Sequence, residues 1–452
     1  MTALKQYIDI FQERREAVDA NSAPALNALR GQALEALRGK TLPGKGDEDY
    51  EVTDMEAMFA PDFGVNINRV DILADPVEAF RCDVPNMSTA PYYFFNDIYH
   101  HDNETTFGDG VIVTSLCRAA REYPELVARH YGKLAPLSDP QVALNTLLAQ
   151  DGIFVYVPQG VAMERTLQIV NIMNTPSPIM ATRRVLVVLG RGASARMLVC
   201  DHTQSREVPC LSNQVVEVDA GEDSVFDFYD FEATAPTSLR ASSVWARQRA
   251  GSNLLIDGIT LSNGQTRNNF HIDVLGERAE TKLLGMAVSS GDQHIDNHTY
   301  IGHMAGCCHS NELFKYVLDD RAQGSFSGKI LVAPGAPKVE AYQSNRNVCA
   351  SAQAKMRTKP QLEIYTDDVK CSHGATVGQL DQEAIFYMST RGVPPEQARV
   401  LLMQAFMCDV IDAVRIDSLR DRLHNLVEKR FAGSIAGCGD CAGTCHNRIR
   451  KE

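Results

Sequence analysis

Cys371 and His373 stand two residues apart in the stretch Lys359-Pro-Gln-Leu-Glu-Ile-Tyr-Thr-Asp-Asp-Val-Lys-Cys-Ser-His-Gly-Ala-Thr-Val-Gly378. On an extended backbone that spacing puts thiol and imidazole on one face. Thiolate and neutral imidazole are the ligands that soft or borderline metals and iron–sulfur centres prefer. Cys349, within Asn345-Arg-Asn-Val-Cys-Ala-Ser351, is a third candidate and is expected on the preceding strand. The bland alternative is buried thiols and a hydrogen-bonded histidine closing a β-unit. The stretch opens as a strand, with Leu362, Ile364 and Thr366 alternating with polar residues.

Three further groupings invite chemistry. Cys438-Gly-Asp-Cys441-Ala-Gly-Thr-Cys445-His446 is a CxxCxxxC cluster whose glycines let three thiols converge on zinc or an iron–sulfur cluster. Its alternative is a reduced, flexible tail. Asp292-Gln-His294-Ile-Asp-Asn-His298-Thr-Tyr-Ile-Gly-His303-Met-Ala-Gly-Cys307-Cys308-His309 is rich in metal-ligand types. It lacks the i, i+4 histidine pair on a helix that hydrolytic zinc sites use, so histidines bonded along a β-ladder are the expectation. Gly190-Arg-Gly192-Ala-Ser-Ala195 has the form of a dinucleotide fingerprint, but the next residues, Arg196 to Asp201, alternate like a strand rather than opening a helix. A tight β-turn explains those glycines.

The elements that must hold these residues change character along the chain. Residues 2–18, 23–37, 116–131 and 138–149 have helical periodicity, and the segment from Tyr50 to His101 is irregular. From Ile153 to Tyr365 short apolar runs recur, among them Val185 to Leu189, Leu254 to Ile259 and Leu313 to Leu318, with turn residues between them. That density of strands means an all-β unit, whether sandwich, barrel or parallel solenoid. After Gly378 the period is helical again. Asp381 is a candidate N-cap, Gly392 a stop, and Pro394-Pro395 opens a longer helix whose stripe, including Met403, Met407 and Val410, is expected to be core, with partner binding as the alternative. A charged amphipathic helix runs from Asp417 to Phe431. The expected division is therefore a mixed or helical part at 1–150, a β core at 151–378, a helical region at 379–432 and a Cys-rich tail at 433–452.

Composition narrows the class. The 452 residues are 44% hydrophobic and 22% charged, ordinary for a globular chain, and the net charge of −13 argues against a nucleic-acid binder. No apolar run is long enough to span a bilayer, and the charged N-terminus carries no visible signal peptide. A cytoplasmic protein with its 12 cysteines mostly reduced is expected.

The motif blocks resemble those of the SufB/SufD family of iron–sulfur cluster assembly proteins, and its SufD branch in particular. The resemblance runs through Asp292 to Thr299, Ser310 to Asp320, Gly328 to Ile330, Tyr342 to Asn347, Thr358 to Gly378 and Asp381 to Gly392. It implies a mainly β protein: a right-handed parallel β-helix core, flanked by N-terminal mixed or helical and C-terminal α-helical regions. It implies pairing with a SufB-like paralogue through the β-helices, and docking of a SufC-type ABC ATPase by the C-terminal helices. Phe386, Tyr387, Arg391, Met403 and Phe406 are the docking candidates. A transient iron–sulfur cluster or iron would form at the partner interface, with His373 in the role of the family's cluster-forming histidine and Cys371 in the same motif block. Cys349 departs from the SufD pattern, standing where an aliphatic residue is expected and close to a functional cysteine of SufB-like chains, and is a further interface candidate. Whether the isolated chain forms a homodimer is left open.

The chain has no GxxxxGK[ST] phosphate loop, so ATP chemistry would belong to the partner and the chain itself would be no enzyme. The tail cysteines are not part of the family pattern and support an alternative: a stand-alone metal or iron–sulfur carrier using Cys438, Cys441 and Cys445. A β-helical carbohydrate enzyme would need paired acids lining a groove. Asp319-Asp320 and Asp367-Asp368 are adjacent and would point to opposite faces of a strand.

Overall fold

The computed structural model describes residues 2–70, 89–100 and 107–433. From Ile153 onward the short apolar runs fold as strands that alternate between two sheets. One sheet takes β5 (Ile153–Val157), β7 (Ile179–Leu189), β9 (Cys210–Ala220), β11 (Leu239–Gln248), β13 (Gln265–Val274), β15 (His294–His303), β17 (Gln323–Val332) and β19 (Lys355–Ile364). The other takes β6 (Thr166–Met173), β8 (Ser194–Thr203), β10 (Val225–Ala233), β12 (Asn253–Ser262), β14 (Glu280–Ser289), β16 (His309–Leu318), β18 (Val339–Cys349) and β20 (Val369–Gly378). Neighbours within each sheet are parallel, as in β10 on β8 and β18 on β20. Sixteen strands at two per turn make a parallel β-helix of about eight turns.

Alternate side chains of each strand point into the coil or out of it. On β12, Leu254 and Ile256 join the interior cluster, whereas Leu255 and Ile259 face outward. The outer faces are covered in turn. Helices α1 (Ala3–Ala20), α3 (Arg30–Leu37) and α7 (Pro140–Leu148) pack on the first sheet through Met180, Leu211 and Ala241. Helices α9 (Pro395–Ile411) and α10 (Asp417–Phe431) pack on the second through Leu255, Met286 and Val317. Burial on both faces is why Val185 to Leu189 reads as an unbroken apolar run rather than an alternation.

Part of the interior is polar and hydrogen-bonded along the axis. Arg240 spans Asp201 and both oxygens of Asp230, the latter at 2.6 Å, and Arg183 joins Asp201 at 2.6 Å. Asn268 then donates to Asn297 at 2.9 Å, and Asn297 to the Tyr316 hydroxyl at 2.6 Å. Such charges persist in a low-dielectric core only because each is paired and hydrogen-bonded.

Several local expectations change. The expected helix at 23–37 is two: α2 (Pro24–Asn27) and α3, the break letting Arg30 turn inward onto the carbonyl oxygens of Leu147 and Ala149 at the end of α7. The irregular segment holds the short helix α4 (Met55–Phe59) and strands β1 (Gly64–Val65), β2 (Thr89–Phe95) and β3 (Ile98–His100). Strand β2 extends the second sheet beside β6, and Pro91 is tolerated because the antiparallel β3 pairs only with Tyr93 to Phe95. Strand β4 (Ile112–Ser115) lies antiparallel on β5 and leads into α5 (Leu116–Glu122) and α6 (Pro124–His130). The Gly190–Gly192 motif is the turn between β7 and β8. Gly192 has φ +65°, and a Cβ on Gly190 would lie 2.5 Å from the Gln159 backbone nitrogen.

Candidate functional site

The site candidates gather on the last turn. Strands β19 and β20 pair on one side only, with β17 and β18, so each leaves a row of backbone donors and acceptors without a ladder partner among the described residues. Along β20, Val369 and Cys371 lean partly into the interior cluster. His373, two residues on, has the same facing but stands exposed beyond the last layer. Cys371 is in register with Ala341, and His373 with Gln343. Burial pushes the Cys371 thiol up, which favours its protonated form over the thiolate that binds metal.

Cys349 is not beside them. It ends β18 in register with Leu318, eight residues beyond Ala341, which is the partner of Cys371. At about 3.3 Å per residue the two thiols are separated by about 26 Å along the sheet. The expectation of a Cys349–Cys371–His373 group is therefore corrected to a Cys371–His373 pair. Consecutive parallel strands fix the register so that only residues at equal height can meet.

Beneath His373 lies a polar column that no single motif announces. Gln343 Nε2 donates to Glu312 Oε2 at 2.8 Å, and the Thr299 hydroxyl donates to the other Glu312 oxygen. Burial raises the Glu312 carboxyl to about 7. Gly328 leaves the room: a Cβ there would lie 2.5 Å from Gln343 Nε2. Thr299, Glu312, Gly328 and Gln343 come from four separate motif blocks. Membership of those blocks is the signal that marks them, while the spacing that unites them is the turn length of the coil.

The histidines of β15 are structural. His294 lies 3.0 Å from the Thr53 hydroxyl, His303 is 2.9 Å from Ser310, and His298 faces Asp49 at 3.4 Å. Among the described residues no three His, Cys, Asp or Glu side chains are placed to hold a metal ion. Cys438, Cys441 and Cys445 lie outside the described residues.

The C-terminal helices divide the docking candidates. Asp381 caps α8 (Gln382–Thr390), accepting from the amides of Glu383 and Ala384, and Gly392 ends that segment at φ +89°. Phe386 and Tyr387 project from α8 at 71% and 59% exposure, with the Arg391 guanidinium 5.3 Å over the Tyr387 ring. Met403 is instead buried against the β-helix, and Phe406 is half-covered beneath Lys315. The stripe of α9 that carries them faces the sheet, so these two belong to the seam rather than to an accessible surface. No described helix is long and apolar enough to cross a membrane.

These features coincide with what the chain is similar to. The family model described as "SUF system FeS cluster assembly, SufBD core domain" matches residues 171–406, and that of the "SufBD protein N-terminal region" matches 1–169. An iron-sulfur cluster assembly SufBD family protein of Synechocystis is 28% identical over 403 residues, covering 86% of this chain and 87% of the relative. The iron-sulfur cluster assembly protein SufD of Bacillus subtilis is 28% identical over 330 residues, 71% and 74% of the two chains. SufD of Escherichia coli is 35% identical over 173 residues, 38% and 41%. The chain belongs to the SufBD family of iron–sulfur cluster assembly proteins.

Proposed function

We propose that the chain is the SufD-like half of a cluster-assembly scaffold and has no catalytic activity of its own. Its open last turn pairs with the corresponding turn of a SufB-like paralogue, and the cluster is assembled where the two meet. The observation that carries this is the conjunction of an unpaired strand edge with Cys371 and His373 on it. Edge strands are templates for another chain, and natural proteins cover them unless they are used.

In this reading the nascent cluster is cargo. His373 offers an imidazole nitrogen, a more exchangeable ligand than a thiolate, which suits a cluster that must be handed on. Cys371, kept protonated by its partial burial, becomes a ligand when docking changes its surroundings. The α8 surface of Phe386, Tyr387 and Arg391 docks an ABC-type ATPase, whose closure pulls on the helical region. Aromatic and arginine side chains are the residues that anchor such contacts.

The test is anaerobic co-purification of the tagged chain from its host, as wild type and as His373→Ala. Recovery of a SufB-like chain and an ABC ATPase with both forms, and of iron and sulfide with the wild type only, is expected. Recovery of the chain alone, or an undiminished iron content in His373→Ala, would sink the reading.

A further inference from the structure

Gln343 is 2% exposed, yet only half of its amide is used. Nε2 donates to Glu312 at 2.8 Å, whereas Oε1 has no hydrogen-bond partner among the described residues. Buried carbonyl oxygens are normally satisfied, so an orphaned one asks for a donor that arrives from elsewhere. Turning the amide over would set Oε1 against Glu312 Oε2 and, with that carboxyl group ionised, leave two acceptors facing each other. Thr299 already donates to the other oxygen of that carboxyl group.

The donor stands one strand away. Gln343 and His373 are register partners on β18 and β20. Adjacent strands lie about 4.8 Å apart, and partners on the same face are direct side-chain neighbours. A neutral imidazole has one N–H and one lone pair, on different nitrogens. A histidine ligand is oriented, and its tautomer fixed, by the acceptor that takes its N–H.

We infer that Gln343 is the positioning residue for His373. When the last turn is closed by its partner, Gln343 Oε1 accepts the His373 N–H, and the other ring nitrogen is left with its lone pair aimed at the metal. Glu312 and Thr299 hold the amide in the orientation that makes its oxygen available. Gly328 leaves the space in which the amide lies. The inference rests on the reading of His373 as a cluster ligand.

The test uses the intact co-purified complex, reconstituted anaerobically with ferrous iron and sulfide. Gln343→Met keeps the length and removes both amide groups, and the exchange of Gln343→Glu with Glu312→Gln returns an oxygen acceptor while keeping the amide-to-carboxylate contact between the strands. Cluster yield in Gln343→Met should fall about tenfold, the scale on which loss of a ligand's hydrogen-bond partner is felt. Pulsed EPR of the reduced cluster should show the remote imidazole nitrogen with a changed quadrupole coupling. The exchange should restore both. If Gln343→Met does not assemble, Gln343→Asn, which withdraws the carbonyl by one methylene, should show the same two losses.

Wild-type yield and coupling in the assembled variants, with His373→Ala inactive, would overturn the role of Gln343 and leave the function standing. Full cluster yield in His373→Ala would overturn the function itself, and this inference with it.

Discussion

Lys315 on β16 and Phe406 on α9 are joined twice: the ammonium donates to the Phe406 carbonyl oxygen at 2.7 Å and sits 4.7 Å over its ring. Asp409, one turn on, pairs with the same ammonium. One buried lysine thus ties the helical region to the outer wall of the β-helix.

Removing that tie should loosen the helices without touching the coil. A hydrogen bond to a charged group is worth about 1.5–3 kcal/mol. Lys315→Ala should therefore weaken local protection of α9 by about 2 kcal/mol in hydrogen exchange, with β14 and β16 unchanged. Uniform loss across both regions would mean that the seam and the coil unfold as one unit.

Asp257 lies on the outer face of β12, fully buried, with neither carboxyl oxygen bonded among the described residues. Burial pushes it up from 3.8 to about 8. Between those values the folded chain holds a proton that the unfolded chain has released, so stability falls as pH rises through this window and is greatest below it. The limiting slope is about 1.4 kcal/mol per pH unit. Asp257→Leu should raise the melting temperature at pH 7.5 and leave it nearly unchanged at pH 4. An equal gain at both values would show that packing, not the carboxyl group, is responsible.

The N-terminal part hangs on a buried ion pair. Glu217 and Arg184 meet at 2.6 Å with no exposed side-chain surface. Glu217 also accepts from the amides of Gly132, Leu134 and Ala135, and Arg184 lies 4.7 Å over Tyr131. Glu217→Ala strands a buried guanidinium and three amides, which should cost about 3–5 kcal/mol. Chemical denaturation should show this loss. A change under about 1 kcal/mol would mean that water replaces the carboxylate.

Charged substitutions should separate surface from seam on the C-terminal helices. On the proposed docking, Phe386→Asp and Tyr387→Asp should each weaken ATPase binding by about 2 kcal/mol or more, as anchor residues do, with unaltered melting. Met403→Asp should instead lower the melting temperature. Calorimetric titration beside thermal unfolding distinguishes them, and full-strength binding by the Phe386 and Tyr387 variants would move the docking surface elsewhere.

Much of this was legible in the chain. The strand runs from Ile153 to Tyr365, the cap at Asp381 and the stop at Gly392 all reappear as expected, because local periodicity and turn chemistry decide them. Strand β2 was hidden by Pro91, tolerated only because of which neighbour it lacks. Height along the coil was not legible either. Cys349 and Cys371 are close in sequence and far apart on the sheet, while Thr299, Glu312 and Gln343 are distant in sequence and hydrogen-bonded. Those relations depend on the number of residues spent on each turn, a sum that no single window contains. The stripe of α9 was legible as core, and Met403, Met407 and Val410 are buried, but which part of the coil it would meet was not.

The two ends of the β-helix are unlike. Among the described residues the sheets finish at the N-terminal end in short strands reversed against their neighbours, β3 on β2 and β4 on β5, while at the other end β19 and β20 stop in mid-ladder. Short reversed strands are poor templates, so in the proposed scaffold strand addition is directed to the β19–β20 end and yields a pair of coils rather than a filament.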